Sequence, residues 1–162
     1  VRFEIEQMIR APCHEVLEAL GDPAFYDALA AMPNLGRPQL LERSDAGGRL
    51  HLKVRFSFTG ELSPAVRAVV KPEKLTWVAD TTIDRETCVV SFVVVPDHYP
   101  DRLSGSVTEC LEDEDGITRR VTQGTVSVHV PFLGRSAEPA LIRGFRHHLE
   151  AEAGLLEEWL TR

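Results

Sequence analysis

The last quarter of the chain carries the pattern most able to do chemistry. Leu141, Phe145, Leu149, Leu155, Leu156 and Trp159 recur at helical spacing, and Arg143, Arg146, His147, Glu150, Glu157 and Glu158 take the other side. With Leu141 at 0° and about 100° per residue, Glu152 falls at about 20° and His148 at about −20°, inside the apolar stripe. They stand one turn apart on one face. A carboxyl group removed from water holds its proton more tightly, so it can act as an acid or accept a ligand hydroxyl. Histidine can shuttle a proton near neutrality. The alternative is structural: the two pair with each other, or reach strand residues such as His129 or Arg120, and are simply satisfied.

A second group is apolar. Phe56, Phe58, Trp77, Phe92 and Phe145, with Leu149 beside them on the helix, are the large side chains expected on an inner surface. Aromatics dominate buried area, so core packing is the ordinary role. Lining a pocket for an apolar ligand is the functional one.

Other chemistries lack their residues. His98, Asp97 and Asp101 have metal-ligand types, but they share a proline-bracketed turn whose spacing does not make side chains converge. The run Glu112 to Asp115 lacks the alternation of a calcium loop and is expected to be a solvated turn. No GxSxG elbow or GxGxxG loop occurs. The three lysines (Lys53, Lys71, Lys74) give little support to Schiff-base chemistry. The residues thus call for no cofactor and no metal.

Composition narrows the setting. The chain has 162 residues, 43% hydrophobic and 27% charged, with a net charge of −7. That suits one globular domain over residues 1–162 and argues against a nucleic-acid footprint. The longest apolar stretch, Val89 to Val95, is far below the ~20 residues of a membrane-spanning helix. The first residues have no apolar leader core. Cys13, Cys88 and Cys110 are widely spaced and odd in number, so reduced thiols and a cytoplasmic location are expected.

The elements that must position these groups follow from periodicity. Phe3, Ile5 and Ile9 alternate with polar residues as a half-buried strand. Pro12, at a first helical position, and Asp22-Pro23, as cap and first position, start two short helices. Gln39–Ser44 and Leu50–Phe58 form a hairpin across Asp45-Ala46-Gly47-Gly48. Ala65–Val70, Leu75–Ile83 and Thr87–Val95 are further strands, the last apolar enough to be covered on both faces. Leu103–Leu111 and Ile117–Val130 close the sheet. A long amphipathic helix, capped at Ser136 and tolerating Pro139 in its first turn, ends the chain.

Phe3-Glu4-Ile5 leading into Ala11-Pro12, Asp22-Pro23-Ala24-Phe25-Tyr26, Leu75-Thr76-Trp77 and Gly124-Thr125-Val126, in this order of elements, resemble the START/Bet v 1-like superfamily, also called SRPBCC. Within it the chain is most similar to DUF2505, a bacterial family of unknown function. The resemblance implies an α+β helix-grip fold: a curved antiparallel sheet of about seven strands around a long C-terminal helix, with two short helices after the first strand. It implies a cavity between sheet and helix that binds a small hydrophobic or amphipathic ligand, lipid-like or aromatic. Phe56, Phe58, Trp77, Phe92, Phe145, His148, Leu149 and Glu152 would line it. The superfamily leaves two alternatives: a polyketide cyclase/dehydratase-like enzyme using one pocket acid or base, and a chaperone-activator-like interaction protein. The expected partner is a small hydrophobic ligand, without nucleic acid and without stable membrane insertion.

Overall fold

Seven strands form one antiparallel sheet in a computed structural model that describes residues 1–162. They are β1 (Arg2–Ile9), β2 (Gln39–Ala46), β3 (Arg49–Ser57), β4 (Thr76–Asp84), β5 (Val89–Pro96), β6 (Leu103–Glu114) and β7 (Ile117–Val128). The spatial order is β1-β7-β6-β5-β4-β3-β2, so β2 to β7 follow one another as neighbours and β1 closes against β7. The helices are α1 (Cys13–Leu20), α2 (Pro23–Ala28), α3 (Pro64–Arg67) and α4 (Gly134–Thr161). The sheet is curved, and α4 lies on its concave side against β1, β7 and α1. This is the helix-grip fold. No helix is long and apolar enough to cross a membrane.

Local chemistry explains the elements and the departures from expectation. The Asp22 carboxylate accepts a hydrogen bond from the Ala24 amide at 2.9 Å and caps α2, with Pro23 in the first turn. Pro12 is the residue before α1 rather than its first helical residue. Ala65–Val70, expected as a strand, contains α3 instead: the Ser63 hydroxyl accepts from the Val66 amide and Pro64 fixes the first helical φ, so capping overrides the β-branched residues. The outer face of β5 is not covered, because Val93 and Val95 are exposed. α4 starts two residues before Ser136, whose hydroxyl donates to the Leu133 carbonyl, and Pro139 falls inside the helix. Leu141, placed on the apolar side of the wheel, is exposed.

The core fills one end of the fold. Ile9, Val16, Leu17, Phe25, Leu29, Leu50, Leu52, Ile83, Val90, Leu111 and Leu156 pack there, with α1 and α2 as a plug. Phe25 meets Trp159 edge-on at 5.7 Å between ring centres. The Thr118 hydroxyl donates to Ala11 O at 2.6 Å, and the Cys13 amide donates to Asp113 at 3.2 Å. These two bonds pin α1 to the β6–β7 hairpin. Asp113 therefore does structural work inside a run expected to be solvated.

Candidate functional site

The concave face changes character along each strand. On β3 the inward residues Leu50, Leu52 and Val54 are fully buried, whereas Phe56 and Phe58 further along are only half-buried. β4 repeats the change from buried Ile83 to half-buried Trp77, and β5 from buried Val90 to half-buried Phe92 and Val94. The pairings Phe56–Trp77 and Thr81–Phe92 place these residues in register on one surface. Because α4 packs mainly on β1 and β7, the inner surface of β3 to β5 is less fully covered at the end opposite α1. What remains is an aromatic groove open at one end. Phe56 stacks with Trp77 at 6.0 Å, and Phe145 of α4 reaches Phe92 at 6.2 Å and Phe3 at 5.7 Å. Gly124 on β7 makes room for Phe3: a Cβ there would stand 2.8 Å from that ring and 2.6 Å from Ser106 O.

Where the groove meets the core there is a charged cluster. Arg120 of β7 has no exposed side-chain surface. Its guanidinium donates to Glu152 at 2.6 Å, to the Gln7 side chain at 2.6 Å and to Leu149 O at 3.3 Å, and stands 3.8 Å from Glu109. It thereby joins β1, β6, β7 and α4. One cation faces two buried carboxyl groups, and only one of them can be fully compensated. Burial pushes Glu109 up to about 7, against the pull of Arg120. Burial acts on Glu152 in the same direction, but Arg120 and His148 outweigh it and hold that carboxyl down to about 2. Burial opposes the charge on Arg120 too, and Glu109 and Glu152 more than offset it. The cluster therefore keeps one anion beside one cation, and a second carboxyl that retains its proton up to near neutrality.

His148 is the member of the cluster with access to solvent. Its side chain is 21% exposed, against 12% for Glu152 and 5% for Glu109. Its Nε2 lies 3.7 Å from Glu152, and its ring stacks on Phe145 at 6.0 Å and 14° between planes. The arrangement is an imidazole beside a buried carboxylate at the border of an aromatic surface. It can hold a ligand hydroxyl or carbonyl, or pass a proton.

The family model of DUF2505, described as a protein of unknown function, matches residues 4–160. The chain belongs to the DUF2505 family. Among curated proteins no sequence match is found. Among solved structures, the Zhui aromatase/cyclase from Streptomyces sp. R1128 superposes with a TM-score of 0.68 at 16% identity, over 100% of this chain and 94% of that one. Norcoclaurine synthase from Thalictrum flavum gives 0.67 at 14%, covering 100% and 87%. A START superfamily protein from Mycobacterium smegmatis gives 0.62 at 11%, covering 98% of both chains. At these identities the likeness establishes the START/Bet v 1-like fold and leaves the activity open.

In this DUF2505 chain the structure brings Phe56 to Trp77, Phe92 to Phe145, and His148 to Glu152. Phe58 lies farther out, bridged through its backbone to Leu35. Leu149 is buried and lends its carbonyl to Arg120 rather than its side chain to an open space. Glu152 likewise turns into the Arg120 cluster and not into the groove. His129 is exposed and takes no part, while Arg120 is the strand partner. The sequence reading did not single out Gln7, Glu109 or Phe3 as site residues. A signal existed for two of them: Gln7 interrupts the inward series Phe3, Ile5, Ile9, and Glu109 the series Val107, Leu111. Asp97 is engaged by Arg55 through two bonds of 2.8 Å and by Thr76 at 2.7 Å, separate from His98 and Asp101.

Proposed function

We propose that the protein binds a small hydrophobic or amphipathic molecule in the open half of the groove. Its apolar part would lie on Phe56, Phe58, Trp77, Phe92 and Phe145, and its polar end would face His148. The observation that carries this reading is the change along β3, from fully buried Leu52 and Val54 to half-buried Phe56 and, just past the strand's end, half-buried Phe58, on a face whose other half is sealed. Aromatic surface left in contact with water at the bottom of a concavity favours an apolar guest. Glu152 and Leu149 support the site by holding α4 in place through Arg120.

The two tryptophans make the test direct. Trp77 lies in the groove and Trp159 packs at the plugged end, so a Trp159→Phe variant reports on the groove alone. Titration with fatty acids and polyaromatic phenols, read by Trp77 fluorescence and native mass spectrometry, is expected to show saturable one-to-one binding. Phe145→Ala is expected to weaken it about tenfold, the scale of losing one aromatic contact surface. Absence of any Trp77 response across both classes counts against the reading.

The His148–Glu152 pair favours a second reading, a cyclase- or dehydratase-like reaction in the same groove. There the pocket would fold a reactive chain and His148 would move the proton. His148→Gln, which keeps a polar contact for the ligand, would then abolish turnover with only a modest loss of binding, whereas a carrier would show binding without product.

A further inference from the structure

We infer that the groove selects guests whose polar end is an uncharged hydroxyl, a phenol or an alcohol, and rejects carboxylates. The inference rests on the ligand reading and names the chemistry of the guest's polar end. Strand pairing sets the inner face of β5, β6 and β7 in rows. Phe92, Val107 and Gly124 stand in one row, and Val90, Glu109 and Thr122 in the next, nearer the core. Such rows lie about 7 Å apart, two residues along each strand. Phe92 is half-buried and belongs to the groove, so the polar pair Glu109 and Thr122 begins one step below its floor.

This patch holds polar atoms that the chain itself does not satisfy. The Thr122 hydroxyl and the Arg120 Nε are buried, and no group of the chain lies within hydrogen-bond distance of either. Thr122 and Arg120 have no exposed surface at all. The Glu109 carboxyl stands 3.8 Å from the Arg120 guanidinium, too far for a hydrogen bond. Nearly every buried polar group in a folded protein is paired, and an unpaired one costs stability. Three such groups on neighbouring positions of one inner face, a step below an open aromatic surface, mark a place for a polar atom from outside the chain.

Charge decides which atom that is. Glu152 already takes Arg120 at 2.6 Å and lies 3.7 Å from His148, and Glu109 is a second carboxyl beside the same guanidinium. A guest carboxylate would be the third carboxyl there, where burial already pushes Glu109 up to about 7. A hydroxyl brings no charge and can both donate and accept. The Arg120 Nε only donates, whereas the Thr122 hydroxyl and a protonated carboxyl can take either part, so one hydroxyl can serve two of the three. A bare hydrocarbon would leave all three unpaired. A ring resting on Phe92 and Phe145 can carry its hydroxyl from the first row toward the second.

The test is equilibrium dialysis of the full chain with 2-naphthol, 2-naphthoate and naphthalene at pH 6.5, where the phenol is neutral and the carboxylate charged. 2-Naphthol is expected to bind about tenfold tighter than either of the others. Thr122→Val removes the hydroxyl and keeps the shape of the side chain. It is expected to weaken 2-naphthol about fivefold and to raise the melting temperature of the guest-free protein by about 2–4 °C, since an unpaired buried group is gone. Thr122→Ser, which keeps the hydroxyl, is expected to keep the preference. Binding of naphthalene or 2-naphthoate as tight as that of 2-naphthol overturns the inference and leaves the ligand reading standing. A melting temperature of Thr122→Val equal to or below wild type overturns it too, because the hydroxyl is then already satisfied in the free protein. The two readings fail separately: a Trp77 response to fatty acids but not to phenols removes this one alone, and no response to either class removes both.

Discussion

Replacing Arg120 by methionine tests whether the charged cluster is as dry as its geometry indicates. The substitution keeps the length of the stem and removes the cation. Three hydrogen bonds disappear, to buried Glu152, to buried Leu149 O and to half-buried Gln7. Removing one partner of a buried ion pair typically costs about 3–5 kcal/mol, because the other charge stays behind uncompensated. At about 2–4 °C per kcal/mol for a chain of this size, melting should fall by roughly 6–20 °C at pH 7.5. The deficit must also depend on pH. Without Arg120, only His148 opposes burial at the two carboxyls, so their folded pKa values rise, that of Glu109 further above the unfolded value. The folded variant then binds protons that the unfolded chain does not, and its stability falls as pH rises through that window. The penalty should therefore be largest at pH 7.5 and shrink toward pH 5. Urea unfolding of wild type and variant at both values measures this. A deficit below about 1 kcal/mol, or an equal deficit at both pH values, refutes the reasoning and shows that water reaches the cluster. Adding Glu109→Leu and Glu152→Leu to Arg120→Met should restore most of the stability, since a buried ionic group replaced whole by apolar groups of similar volume is often neutral.

Three other outcomes follow from particular contacts. Glu109 keeps its proton in the folded state up to about 7, so wild-type stability should fall as pH rises from the ordinary carboxyl range to neutrality; Glu109→Gln should flatten that slope in urea melts, and an unchanged slope counts against the assignment. Gly124→Val drives side-chain atoms into Ser106 O and the Phe3 ring, and should cost about 1–3 kcal/mol by thermal unfolding; a melting temperature equal to wild type would show that the strand has slack there. Burial pushes the Cys13 thiol up to about 12, so native-state alkylation followed by mass spectrometry should modify exposed Cys110 and leave Cys13 unlabelled until unfolding.

The sequence determined the order of elements, because that order rests on local signals. Alternation marks Leu50 to Phe58 as a strand whichever neighbours it acquires, and Asp22-Pro23 starts a helix with its own side chain. The family follows from the same short motifs. Ala65–Val70 went the other way, since a serine cap and a proline weigh more at a surface position than β-branched residues do. At the site, a helical wheel put His148 and Glu152 within the apolar stripe of α4, but a wheel has no partner strand. Only the assembled sheet set Arg120 and Glu109 opposite that stripe, and so decided that Glu152 faces an ion pair while His148 faces the groove. Those contacts join residues 32 and 113 positions apart in the chain, and local periodicity carries no information over such distances. The open half of the concave face was also beyond the sequence. Phe56 and Leu52 share the same inward alternation on β3, and their different burial depends on where α4 comes to rest, which is set by the packing of the whole sheet.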